Sequence, residues 1–207
     1  MRPSPRPLSS DVQILVEGRD PCKFFEALIE HLAFDNVQVQ DFGGVTELRD
    51  FLSSFTKMSG FSGVQSLGIV RDAEQNATGA FHSVRGALEH AGLSAPDTPG
   101  QRAGASPAIS VMILPDNERT GMLKTLLCDS FSGNPVRTCI DAFFKCVEVR
   151  QGHPVHRQYK ARARAFLATK RDPHLSVGDA AKRGYWDMDH AVLEPIRAFL
   201  HDVVAPR

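Results

Sequence analysis

Short apolar runs that alternate with stretches of helical spacing constrain this chain more than any other feature. Gln13-Ile14-Leu15-Val16, Val37-Gln38-Val39, Ser66-Leu67-Gly68-Ile69-Val70 and the run from Ile109 to Leu114 are too short for buried helices and read as strands. Between them, Phe24, Phe25, Leu28, Ile29 and Leu32 recur at helical spacing, as do Val45, Leu48, Phe51, Leu52 and Phe55, and then Ala77, Phe81, Val84 and Leu88. Strands that take turns with helices predict an α/β fold with a mainly parallel sheet flanked by helices. Strands apolar along their whole length belong in the middle of such a sheet, covered on both faces.

After Pro115 strands become scarce. Residues 121–128, 135–149, 157–170 and 191–204 read as helices, the last carrying Val192, Ile196, Phe199, Leu200 and Val203 as one stripe. Residues 93–107, interrupted by three prolines and two glycines, read as a surface loop or a disordered insert. The expected organisation is a proline-rich flexible leader over residues 1–11, an α/β core over 12–115, and a helical part over 116–207 packed on that core as one domain.

A chain of 207 residues with 42% hydrophobic residues can build an ample core. Its formal charge is zero, so any nucleic-acid or membrane binding must come from a local patch and not from a global field. No apolar stretch reaches membrane-spanning length and residues 1–10 hold no signal core, so a cytoplasmic protein without membrane contact is expected. Cys22, Cys128, Cys139 and Cys146 are then expected as reduced thiols. Cys139, Cys146, His153 and His156 are spaced unlike the short pairs of zinc sites, and no zinc is expected. The absence of a Gly-x-Ser-x-Gly elbow and of a P-loop argues against a serine hydrolase and a P-loop NTPase.

Chemistry concentrates at two strand ends. Glu17 closes the first apolar run, and Asp72-Ala73-Glu74 closes the third. In an extended segment residues two apart share a face, so Asp72 and Glu74 are expected to point together, with a neighbouring strand bringing Glu17 beside them. At about 5 Å and an effective dielectric near 20, each ionised pair would repel by about 3 kcal/mol unless a proton or cation intervenes. Magnesium, or manganese, satisfies that need, since it takes oxygen ligands and commonly uses one or two carboxylates while contacting substrate phosphates. The plain alternative for Glu17 is an acid that caps the turn before the next helix. Asp20 and Asp116 are weaker ligand candidates, each placed in a turn where an aspartate caps a helix anyway.

Phosphate contacts have their own candidates. On a helix over 157–170, Arg157, Lys160 and Arg164 share one face while Tyr159, Ala163, Phe166 and Leu167 share another, so the basic face is either simply solvated or available to a phosphodiester backbone. Lys160 is the first candidate, followed by Arg164. The N–H groups of Gly43 and Gly44, ahead of a helix, either hold a phosphate or make a tight turn.

With these residues the chain resembles the Toprim domain, the catalytic fold of topoisomerases, primases and overcoming-lysogenization-defect nucleases, in which a glutamate closes the first strand and an acidic-x-acidic motif the third. Ile14-Leu-Val-Glu-Gly-Arg-Asp20, Phe42-Gly-Gly44, Leu67-Gly-Ile-Val-Arg-Asp-Ala-Glu74, Leu114-Pro-Asp116, Gly121-Met-Leu123, Lys160-Ala-Arg-Ala-Arg-Ala-Phe-Leu-Ala168 and Gly184-Tyr-Trp186 are similar, in that order, to a family of small stand-alone Toprim-like proteins. The similarity extends over residues 12–200. It implies a magnesium-dependent nuclease of DNA or RNA, a role in phage defence, and a separate ATPase partner, because the related nucleases are joined to an ATPase. In that reading Asp72 and Glu74 hold the metal and Glu17 is a third ligand or the general base.

The chain also departs from the resembled pattern. Pro21, Lys124 and Tyr159 stand where the similar proteins carry acids, and Lys124 either weakens metal binding or contacts a phosphate itself. These departures favour the competing reading, a module that binds a nucleotide, nucleic acid or protein partner without turnover.

Overall fold

The computed structural model describes residues 4–205, so the first three residues of the expected leader lie outside the described residues. Strand β1 (Val12–Val16) leads through helix α1 (Arg19–His31) to β2 (Val37–Asp41). Helix α2 (Leu48–Phe55) then leads to β3 (Ser66–Asp72), and α3 (Ala77–His90) to the edge pair β4 (Arg102–Ala103) and β5 (Ala108–Leu114). The rest is helical: α4 (Leu123–Ser130), α5 (Val136–Gln151), α6 (Gln158–Leu167), α7 (Val177–Lys182) and α8 (Glu194–Val204).

The five strands lie in the order β2-β1-β3-β5-β4, all parallel except β4, which pairs antiparallel with β5. The sheet is therefore mainly parallel and flanked by helices, as the alternation predicts. Side chains split between its faces with a period of two. Ile14, Val16, Val39, Val70, Met112 and Leu114 pack with α1, α4 and α8, whereas Leu15, Leu67, Ile69, Ile109, Val111 and Ile113 pack with α2 and α3. The winding reverses between β1 and β3: α1 covers one face on the way to β2, and α2 and α3 cover the other.

Helix α8 approaches the sheet closely because Gly68 has no side chain. A Cβ there would lie 2.8 Å from Ile14 Cδ1 and 3.0 Å from Phe199 Cζ. The stripe expected over 191–204 divides into a 3-10 turn (Ala191–Leu193) and α8, with Pro195 in the first helical turn, where its missing N–H costs nothing. Helix α7 has no counterpart in the sequence reading. Its six residues are too few to show a period, and it is held by Ser176, whose Oγ accepts the Asp179 N–H at 3.1 Å. Among the described residues no helix is long and apolar enough to cross a membrane.

One expectation is corrected. The described part of the leader is tied to β2: the Arg6 N–H donates to Gln40 Oε1 at 2.7 Å, the Ser9 N–H to Gln38 Oε1 at 3.0 Å, and Gln38 Nε2 to the Pro7 carbonyl at 2.9 Å. The glutamines of this strand offer side-chain partners that proline-rich composition does not reveal. Residues 93–107 form a surface loop, the first of the two readings the sequence offers, and it is anchored to the sheet: β4 pairs with Ile109 and Ser110 and the Gly100 N–H donates to the Val111 carbonyl at 2.9 Å.

Candidate functional site

The parallel register places Val16 level with Val70, so Glu17 and Asp72 both emerge at the C-terminal ends of adjacent strands. Here the winding direction reverses, and the crevice so formed is where open α/β sheets bind ligands. The turn that frees Glu17 is built by Gly18 at φ +95°, a conformation costly for any residue with a Cβ. Its N–H donates to Asp41 Oδ1 at 2.9 Å, and the same oxygen accepts the Gly43 N–H at 2.7 Å. Asp41 thus pins the turns after β1 and β2 to each other. Sequence reasoning missed it, because its role requires two turns distant in the chain.

Glu17 is mostly buried, and its Oε2 has no hydrogen-bond partner. The nearest cation is Arg71, itself buried, with Nε 3.7 Å from that oxygen and Nη1 donating to the Ala80 carbonyl at 3.1 Å. Burial pushes the Glu17 carboxyl up to about 7, with Asp72 and Glu74 adding to the rise and Arg71 opposing it. Arg71 is the second functional residue the sequence left unnoticed. Within an apolar strand it reads as a break in the run, while in the fold it is the fixed counter-charge of Glu17.

Asp72 ends β3 against the start of α4, where its Oδ1 accepts the Leu123 N–H at 3.0 Å. Burial raises its carboxyl to about 6 against that hydrogen bond; Glu74 adds to the rise, and the ammoniums of Lys124 and Lys160 oppose it. Lys124 also approaches Asp20, with Nζ 3.8 Å from Oδ2. Glu74 does not share the extended geometry expected of an acidic-x-acidic pair. It adopts φ +52°, and its N–H and carbonyl bridge to Gly121 at 2.8 and 2.9 Å, which leaves its side chain exposed.

The remaining candidates are placed elsewhere. Asp116 Oδ1 accepts the Arg119 N–H at 2.9 Å and the Glu118 N–H at 3.3 Å, and its other oxygen pairs with the Arg119 guanidinium, so it closes a turn. Gly43 and Gly44 offer no free donor: the first N–H is taken by Asp41, and the second goes to Glu47 Oε2 at 2.6 Å. In α6 only Lys160 acts on Asp72. Arg164 Nη1 reaches the Leu175 carbonyl at 3.4 Å, Arg157 sits in a left-handed conformation at the helix start, and Tyr159, expected on the buried face, is 45% exposed. Cys139 and Cys146 are exposed on α5, whereas Cys22 and Cys128 are buried thiols; all four are free.

Residues 11–205 match DUF3226, a family described as of unknown function. The chain belongs to this family. Comparison with curated proteins and with solved structures gave no match. In this DUF3226 chain the expected convergence of three carboxylates is not preassembled, since no group of three or more His, Cys, Asp or Glu side chains among the described residues could hold a metal ion. What the fold does bring to neighbouring strand ends is two carboxyls raised by burial, Glu17 and Asp72, the first beside Arg71 and the second under the influence of Lys124 and Lys160. An unpartnered buried carboxylate oxygen and two carboxyls raised by burial are chemically suited to one cation held through one or two carboxylates and water, and not to a closed protein cage.

Proposed function

We propose that this DUF3226 chain is a Toprim-like, magnesium-dependent protein acting on phosphodiesters, as a nuclease of DNA or RNA. The observation that supports it most is the placement of Glu17 and Asp72 on adjacent strand ends at the reversal of winding, with Lys160 and Lys124 beside them. Asp72 and Glu17 would hold magnesium or manganese, with Glu74 within electrostatic reach; the bound ion would neutralise charge developing on the phosphate. If Glu17 is not itself a ligand, it is the general base that accepts the proton of an attacking water. Lys160 supplies the phosphate contact. A role in phage defence and a separate ATPase partner belong to this reading through the resemblance to Toprim nucleases, and a cytoplasmic location through the lack of an apolar stretch of membrane-spanning length. A second reading, a module that binds nucleotide or nucleic acid without turnover, is favoured by one observation: Lys124 and Asp20 already face each other where an acid would strengthen an ion site.

The test combines melting with cleavage. At an ion concentration about twentyfold above Kd, linkage adds about 2 kcal/mol, which raises the melting temperature by about 5 °C in a chain of this size. Asp72→Asn should remove most of that gain, and Asp72→Asn or Glu17→Gln should abolish metal-dependent nicking of supercoiled DNA or cleavage of single-stranded RNA. Metal stabilisation and nucleic-acid binding without cleavage would select the second reading. A chain that neither gains stability in magnesium or manganese nor binds nucleic acid at low salt would end both.

A further inference from the structure

Tyr159 departs most from the place its helix would give it. It lies in the first turn of α6 on the side that carries Ala163 and Phe166, which are buried, yet its own side chain is 45% exposed. Among the described residues its hydroxyl has no hydrogen-bond partner and its ring no aromatic neighbour. The backbone beneath it is fixed, because the Tyr159 carbonyl accepts the Cys128 S–H at 3.3 Å and so ties the start of α6 to α4.

The groups around this ring are cations. The next residue, Lys160, acts on Asp72, and Arg119 is within electrostatic reach of the Tyr159 side chain. Arg157, Lys160 and Arg164 share one face of α6, and among the described residues none of the three pairs with a carboxylate. One other aromatic ring is as exposed, Phe143 at 57%, but it stands on α5. That helix meets α6 through Arg162, which pairs with Asp141 and lies over the Phe144 ring at 5.0 Å. Residues two apart on a helix point about 160° away from each other, so α5 is on the side of α6 away from Lys160.

We infer that Tyr159 is a base-stacking platform beside the acid pair, which makes single-stranded nucleic acid the substrate class of this site. The inference rests on the phosphodiester reading above and names its substrate. Lys160 takes a phosphate of the strand and Tyr159 the face of an adjoining base. Every base has such a face, so the contact adds affinity without reading sequence. In a duplex those faces are already stacked on one another, and only the phosphates remain for Lys160. A ring one residue from Lys160, on a backbone held by Cys128, also fixes the register of the strand against Asp72.

Anisotropy of a fluorescein-labelled single strand of about ten nucleotides, titrated with the full chain in calcium, which also takes oxygen ligands, reads this contact. Tyr159→Ala should weaken binding about tenfold at every salt concentration, since a stack releases no counterions, and Tyr159→Phe should keep the wild-type affinity. Lys160→Gln should weaken binding as well, with the salt dependence flattened by about 0.7 in slope. A strand of the same length without bases should bind wild type and Tyr159→Ala equally, as should a duplex, and Phe143→Ala should bind the single strand as wild type does. Tyr159→Gln serves if the alanine variant does not melt cooperatively. A Tyr159→Ala chain that keeps wild-type affinity for the single strand would overturn the inference. So would an equal loss on the duplex or on the strand without bases, or an equal loss in Phe143→Ala. Each of these results leaves the metal-dependent reading standing. A wild-type chain that binds neither strand nor duplex also overturns the inference, and the melting response to magnesium then decides whether the reading beneath it falls.

Discussion

In the absence of divalent metal, the protein should lose stability as pH rises from about 4.5 to about 7. The cause is the pair Glu17 and Asp72, whose carboxyls lie at about 7 and about 6 in the fold against ordinary values of 4.5 and 3.8. An acid whose folded value is raised holds its proton longer in the folded than in the unfolded chain. Its contribution is complete below the unfolded value and disappears as pH rises through the folded one. For Glu17 the interval corresponds to about 3 kcal/mol, and the Asp72 interval overlaps it, so the loss appears as one broad slope. Glu17→Gln should flatten most of that slope, leaving the variant nearly as stable as wild type at pH 4.5 and about 2–3 kcal/mol more stable at pH 8. Urea unfolding at a series of pH values in the presence of a chelator checks this. A wild-type profile flat across pH 5–7.5 would mean that the two carboxyls are solvated more than their burial indicates. A substitution that stabilises the fold while removing its most perturbed acid is the pattern of a site kept for chemistry and not for packing.

The second large effect lies at the contact between α1 and α7. A Cβ on Gly178 would stand 2.5 Å from the Asp20 carbonyl oxygen and 2.6 Å from Lys23 Cβ. Neither obstacle is the free end of a flexible chain, so Gly178→Ala must push the helices apart. Overpacking of this kind costs about 1–3 kcal/mol and outweighs the gain of up to about 1 kcal/mol that alanine brings to a helix. The expected net loss is about 2 kcal/mol, with the salt bridge between Lys23 Nζ and Asp179 Oδ1, 2.6 Å long, stretched as well. Displacing the first turn of α1 also moves Asp20 away from Lys124, so metal affinity should change along with stability. Gly86, in the middle of α3, is the internal control: nothing lies within 4 Å of its missing Cβ, and Gly86→Ala should stabilise by about 0.5–1 kcal/mol. Opposite signs for the two substitutions in chemical unfolding are the expected result. A neutral Gly178→Ala would show that α7 is loosely seated.

The sequence by itself determined the sheet and its partners. Runs such as Ile14 to Val16 and Val111 to Leu114 are apolar at every position, and helices with a single apolar stripe between them have nowhere to bury it except against such strands. It also determined that Glu17 and Asp72 lie at their strand ends, because Glu17 directly follows the apolar run that ends at Val16, and Asp72 follows the run that ends at Val70 after one further residue, Arg71. Local pattern stops being informative where partners lie far apart in the chain. The α7 segment is too short for a period, and β4 is only two residues long. Asp41 owes its role to two turns that meet only when β1 and β2 pair, and Arg71 is a counter-ion only because β1 and β3 are neighbours in that register. Glu74 departs from the extended geometry because Gly121, 47 positions away, captures its backbone. Tertiary structure alone therefore decided the electrostatics of the site: which acids are buried, which cations face them, and that the backbone donors of Gly43 and Gly44 are already taken. Burial and proximity set the charge of a carboxyl, and both are properties of the packed chain and not of any segment of it.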